Sequence, residues 1–97
     1  MEIHKKILQE HFDALVSGEK TFELRLNDED LKEAKSGDIL VLEEWDSVSP
    51  DRKPTGREIR KTISHASRFT IGDLAKWWPR DEMEEKGLVI FSLKDPT

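Results

Sequence analysis

The sequence predicts an α+β fold with a mostly antiparallel, curled sheet, and three observations support this class. The chain has 97 residues, enough for a single domain over residues 1–97. Apolar residues recur with helical spacing at residues 7–17, between two short strand patterns. A series of further strand patterns follows, and this order of elements in a short chain is typical of α+β proteins.

The first predicted elements are a strand at residues 2–6 and the helix at residues 7–17. Gly18 follows the last apolar residue of that helix, where a left-handed C-terminal cap favours glycine. Residues 21–26 then alternate between apolar and polar side chains, as in a strand with one buried face. The apolar stripe of the helix comprises Ile7, Leu8, Phe12, Leu15 and Val16.

The later elements follow an acidic loop at residues 27–36. The apolar run in Ile39–Trp45 predicts a strand buried on both faces, and residues 46–56 are a polar loop with two prolines. Thr70 and Asp73 have the spacing of a capping box, which opens a short helix. The remaining predictions are a strand at residues 57–67, helices at 71–77 and 81–86, and a last strand at 88–93.

The composition predicts a cytoplasmic protein that uses neither a cofactor nor a metal and does not enter a membrane. The chain has no cysteine, which excludes disulfides and thiolate chemistry, and His4, His11 and His65 lack the spacing of metal ligands. No segment approaches the roughly 20 apolar residues that span a bilayer. The net charge of −5 argues against binding duplex nucleic acid by bulk electrostatics.

The charge is distributed unevenly along the chain. Residues 28–46 carry eight acidic side chains against two lysines, whereas residues 51–68 carry six basic side chains against two acids. A basic segment on an acidic protein fits a nucleotide or a short single strand. The alternative is a solvated strand face and loop without a ligand.

The segment after Gly18 carries the most informative polar residues. Lys20 lies at the entry of the predicted strand, and Glu23 and Arg25 share one face because they are two residues apart. An ammonium group, a carboxylate and a guanidinium on one wall can recognise a planar polar ligand. A solvent-exposed strand face with a weak ion pair is the alternative explanation.

These residues belong to an ordered pattern that resembles the ASCH family of PUA-like barrels. Residues 18–25 read Gly-x-Lys-x-x-Glu-x-Arg, and Gly37-Asp38 opens the apolar strand. The resemblance is to an uncharacterised subgroup of small prokaryotic and phage domains in particular. The further matching residues are His4, Phe12, Thr21, Phe22, Asn27, Asp28, Leu40, Leu42, Glu44, Trp45, Asp46, Thr55, Gly56, Arg57, Glu58 and Ile59.

The resemblance implies a small closed β-barrel flanked by two to three helices, with a polar cleft between the first helix and the barrel. It also implies binding of RNA or of a nucleotide, single-stranded if the ligand is nucleic acid. Lys20 and Arg25 would contact phosphate or a base edge, and Glu23 would accept hydrogen bonds from an amino group. The remaining candidate ligand-binding residues are Thr21, Trp45 as a stacking platform, and Arg57 as an added charge.

Two other functions remain open. One is an amidohydrolase-like or ribonuclease-like hydrolase acting on a modified nucleoside or RNA, with Lys20 and Glu23 as the catalytic residues. Relatives that hydrolyse acylated cytidine place a threonine hydroxyl where this chain has Glu23, so their nucleophile is missing. The other is a protein-interaction module that uses the acidic loop and needs no cleft.

Overall fold

The structure, a computed structural model, describes residues 1–46, 48 and 50–96. It divides into two compact units, Met1–Ala66 and Ser67–Thr97. That the whole chain forms one domain remains a prediction. Residues 47 and 49 of the predicted polar loop lie outside the described residues, as does residue 97.

The first unit contains a three-stranded mixed sheet. Strand β1 (Glu2–Leu8) pairs in parallel with β2 (Ile39–Trp45), and β2 pairs antiparallel with β3 (Pro54–Thr62). A parallel pair needs a crossover of about a dozen residues or more, which helix α1 (Gln9–Ser17) and the loop after it provide. The predicted strand at Ile39–Trp45 is confirmed with its bounds.

The predicted closed, mostly antiparallel PUA-like barrel is wrong. Within the described residues the sheet is open and has the order β1-β2-β3, so β1 and β3 are its edges. Residues 21–26 and 88–93, both predicted as strands, join no ladder. Leu24 and Val89 are 63% and 70% exposed, so neither segment has the buried apolar face that would hold a strand in register.

Helix α1 covers one face of the sheet and forms the core with it. It begins at Gln9 rather than residue 7, because the first residues of the predicted apolar stripe belong to β1. It ends at Gly18, whose φ of 83° confirms the predicted left-handed cap. The buried core cluster comprises Ile3, Ile7, Phe12, Leu15, Ala34, Leu40 and Leu42.

The second unit contains two short helices, α2 (Ile71–Leu74) and α3 (Arg80–Lys86). The Thr70 hydroxyl accepts from the Asp73 backbone N–H, and the Asp73 carboxylate accepts from the Thr70 N–H, so the predicted capping box is confirmed. In the part of the chain described, no helix combines the length and the apolar character needed to cross a membrane.

Candidate functional site

A cleft of about 450 Å³, here called the first cleft, lies at the C-terminal end of β1. Its walls are the last residues of β1, the first turn of α1 and the irregular segment at residues 20–25. Four of the predicted site residues lie on that segment, and three of them, Lys20, Glu23 and Arg25, line the cleft. The lining residues are Lys6, Ile7, Leu8, His11, Lys20, Phe22, Glu23, Leu24 and Arg25.

The end of α1 places the segment that carries these residues. The N–H of Gly18 donates to the Leu15 carbonyl at 3.3 Å, and the N–H of Lys20 donates to the Ala14 carbonyl at 3.1 Å. These two bonds satisfy carbonyl groups that the helix leaves without partners and turn the chain back along α1. Lys20 therefore enters the cleft from the helix end rather than from a strand.

Lys20, Glu23 and Arg25 form one connected group in the first cleft. Glu23 Oε1 accepts from Lys20 Nζ at 3.3 Å, and Glu23 Oε2 accepts from Arg25 Nε at 2.6 Å. Nη2 of Arg25 also donates to the Lys6 carbonyl at 2.7 Å. The carboxylate thus holds two cations side by side, and Arg25 fastens the segment to the open edge of β1.

His11 is a cleft residue that the sequence analysis did not identify. Its Nδ1 lies 3.5 Å from Lys20 Nζ. The sequence carries no signal for this contact, because it depends on the return of the chain to the end of α1, where the Lys20 N–H donates to the Ala14 carbonyl. His4 lies elsewhere, beside Glu43 at 3.6 Å. Across the described ranges, no three His, Asp or Glu side chains are grouped so as to hold a metal ion.

Trp45 lines a second cleft, of about 280 Å³, on the other side of the end of β1. The Lys6 ammonium group lies 4.1 Å from the centre of the Trp45 ring, a cation–π contact. The indole N–H of Trp45 is buried and has no hydrogen-bond partner among the described residues. This second cleft is lined by Lys6, Ile7, Leu8, Trp45, Asp46 and Arg52.

Thr21 and Arg57, two of the predicted ligand-binding residues, line neither cleft. Arg57 instead donates from Nε and Nη2 to the two carboxylate oxygens of Glu44, at 2.8 and 2.6 Å. Glu44 is 1% exposed and also accepts from the Thr55 hydroxyl. Arg57 therefore neutralises a buried acid on the core face of the sheet, and its predicted part in ligand binding stays a prediction.

We expect the melting temperature to fall as the pH decreases below about 4.5. Arg57, with help from Thr55, holds the pKa of Glu44 below its ordinary value of 4.5, and Lys5 lowers the pKa of Asp28 below 3.8. The unfolded chain therefore binds protons first as the pH falls. The stability from these pairs is present above the ordinary pKa values and is lost below them, which calorimetry across a pH series would measure.

Glu44→Gln tests the source of this acid sensitivity. The variant should melt at a lower temperature than the native protein at neutral pH, and its further decline in acid should be shallower. Glu58→Gln changes an exposed carboxylate on β3 and should keep the decline of the native protein. A Glu44→Gln curve that declines in acid as steeply as the native one would contradict the role given to Glu44.

The fold and the two clefts define a class of small α+β protein with a basic, aromatic-lined surface at the edge of a mixed sheet. Residues 3–77 match the model of a family described as a domain of unknown function (DUF3850). Because the match covers more than half of the chain, the protein belongs to this family. No curated protein and no solved structure matches the chain.

Proposed function

We propose that the first cleft binds RNA or a nucleotide, with Lys20 and Arg25 on phosphate or a base edge. The observation that carries this proposal is the Glu23 carboxylate, which bonds Lys20 and Arg25 on one concave wall. A binding site or an active site needs this convergence, whereas an interaction module built on the acidic loop does not. The resemblance to the ASCH family supports the proposal and stays a prediction.

The chemistry of the cleft fits a nucleotide. Its volume of about 450 Å³ lies within the roughly 300–1,000 Å³ of small-molecule sites. Arg25 offers a planar fork of donors and Lys20 a mobile ammonium group, and both groups suit phosphate. Phe22 adds a ring, with the Lys20 Nζ 5.1 Å from its centre, so that polar and apolar surfaces adjoin as they do in a nucleotide.

The charge of the whole protein favours a single strand over a duplex. The net charge of −5 repels a long, dense polyanion, whereas a short strand or a nucleotide contacts only the basic cleft. The acidic loop is partly neutralised within the protein, since Lys5 Nζ lies 2.8 Å from Asp28 and 3.0 Å from Asp30. Selectivity for single strands is therefore part of the proposal.

The test measures the affinity of the purified protein for a fluorescein-labelled single-stranded hexaribonucleotide of mixed sequence. Lys20→Ala should weaken binding about tenfold to a hundredfold, because one charge-assisted hydrogen bond contributes about 1.5–3 kcal/mol. A duplex of the same length should bind more weakly than the single strand. Fluorescence anisotropy titrations give all of these dissociation constants.

Lys32→Ala is the matched control. Lys32 pairs with Glu29 at 2.7 Å across the same three-residue separation, but it is more exposed than Lys20 and lies outside both clefts. Its affinity should equal that of the native protein. An equal loss in the two variants, or equal affinity for duplex and single strand, would overturn the proposed function.

Hydrolysis of a modified nucleoside or of RNA is the second candidate, and the contact between Lys20 and His11 favours it. An imidazole, an ammonium group and a carboxylate within one cleft can transfer protons. The segment offers no hydroxyl nucleophile there, because Thr21 does not line the cleft. We therefore expect no acid release from N4-acetylcytidine, and turnover that disappears in both Lys20→Ala and Glu23→Ala would make the protein a hydrolase.

A further inference from the structure

The two clefts are adjacent and share one wall. Lys6, Ile7 and Leu8, the last residues of β1, line both of them. Leu8 is the register partner of Trp45, so the second cleft begins one strand further into the sheet than the first. A ligand that crosses the end of β1 would occupy both clefts in succession.

Each cleft presents the same pair of groups, a lysine ammonium over an aromatic ring. In the first cleft Lys20 lies over Phe22 at 5.1 Å, and in the second Lys6 lies over Trp45 at 4.1 Å. An aromatic face stacks a base, and a neighbouring cation neutralises a phosphate. Two such pairs side by side match a ligand in which a unit of one base and one phosphate also occurs twice in succession.

The second cleft has a cation of its own besides the shared Lys6. Arg52 belongs to its lining, and a guanidinium suits phosphate. With about 280 Å³, this cleft falls just below the usual range for a whole small-molecule ligand and is of a size for part of one.

We propose that the ligand is a single-stranded nucleic acid of at least two nucleotides that runs across the end of β1. One nucleotide occupies the first cleft, its neighbour lies against Trp45 in the second, and Lys6 on the shared wall contacts the phosphate between them. This inference rests on the proposed function and extends it from one nucleotide to a strand. Arg52 and Trp45 are then binding residues of the second position only.

The experiment compares ligands of one and two units by calorimetric titration. The probes are the four nucleoside 5′-monophosphates and the matching 5′-phosphorylated homodinucleotides, in ribose and deoxyribose forms. The native protein should bind at least one dinucleotide about tenfold or more tightly than its monophosphate, because base stacking on an aromatic ring contributes that much. Lys20→Ala should weaken the binding of both lengths.

Two variants test the second position separately. Arg52→Gln and Trp45→Leu should each remove most of the difference in affinity between the dinucleotide and its monophosphate. Arg52→Gln changes an exposed loop residue, so it keeps the test valid if Trp45→Leu does not fold. Arg80→Gln, on an exposed residue of the second unit, is the control and should retain the full gain.

The outcomes separate this inference from the proposed function. If monophosphates bind and no dinucleotide binds more tightly, the two-nucleotide inference fails and the proposed function stands. If the gain is present but survives in Arg52→Gln and in folded Trp45→Leu, the second cleft is not the second position and the inference fails as well. If neither length binds, the two-nucleotide inference fails, and the titration with the hexaribonucleotide decides the proposed function.

Discussion

Phe12→Ala should reduce the free energy of unfolding of the first unit by about 3–5 kcal/mol, the usual loss when a buried phenylalanine is truncated. Phe12 is 3% exposed and belongs to the core cluster between α1 and the sheet. The Arg57 guanidinium lies 4.8 Å from the centre of its ring, so truncation also removes the surface beneath the pair of Arg57 with Glu44. A small domain has little stability in reserve, and such a loss is a large part of it.

Urea denaturation, monitored by hydrogen exchange of the backbone amides of β2, would measure this loss in the first unit alone. The tryptophans are less suitable as a probe, because Trp77 and Trp78 belong to the second unit and Trp45 to the first. Phe91→Ala is the matched control, since Phe91 is 73% exposed and its loss should change stability by about 0.5 kcal/mol or less. A change below about 1 kcal/mol for Phe12→Ala would contradict the core assigned to α1.

The elements that the sequence predicted well depend on residues a few positions apart. Each of these elements is explained by residues within it or directly beside it. They are the apolar run Ile39–Trp45, the cap at Gly18 and the capping box of Thr70 with Asp73. The start of α1 was wrong by two residues because Ile7 continues the apolar pattern of the helix although it is the end of a buried strand. A boundary between two apolar elements carries no local signal.

The closed barrel could not be judged from local patterns. Alternation of apolar and polar residues predicts a strand only if another element covers the apolar face and pairs with its backbone. Leu24 and Leu26 alternate correctly with polar residues and yet are 63% and 85% exposed, and Val89 in the apolar run at residues 88–93 is 70% exposed. Whether a sheet closes depends on pairing between strands that are far apart in the sequence. The sequence indicates how many strand patterns there are, but not which of them pair.

The candidate site was predictable in part. Glu23 and Arg25 lie two residues apart, which places them on one side of any extended chain, and the Gly18 turn adds Lys20 to them. Lys6 and His11 come from other elements, so their positions depend on the packing of α1 beside β1. Arg57 belongs to a basic run in the sequence, but its partner Glu44 lies on the neighbouring strand, and no spacing along the chain reveals that pair.

Of the side chains in the first cleft, Arg25 is expected to contribute most to ligand binding. It joins Glu23 to the Lys6 carbonyl at 2.6 and 2.7 Å, so it both faces the ligand and fixes the segment that carries Lys20. Arg25→Ala should weaken binding of the single-stranded hexaribonucleotide by about a hundredfold, since it removes a charged donor and the anchor of that wall.

Arg25→Lys separates the charge of this residue from its geometry. An ammonium group keeps the positive charge, but it lacks the planar fork with which Arg25 spans the Glu23 carboxylate and the Lys6 carbonyl. Binding should therefore remain about tenfold weaker than in the native protein. Anisotropy titrations against the same hexaribonucleotide measure the difference.

Arg60→Lys is the control for this substitution, because Arg60 also pairs with a glutamate, Glu2, but lies outside both clefts. It should bind the strand as the native protein does. Full affinity in Arg25→Lys would mean that only the charge at this position matters. The ligand would then be held by a diffuse positive potential, and the built wall of Lys20, Glu23 and Arg25 would not be its receptor. If Arg25→Lys loses affinity for the strand and Arg60→Lys does not, recognition depends on the geometry of the Arg25 guanidinium.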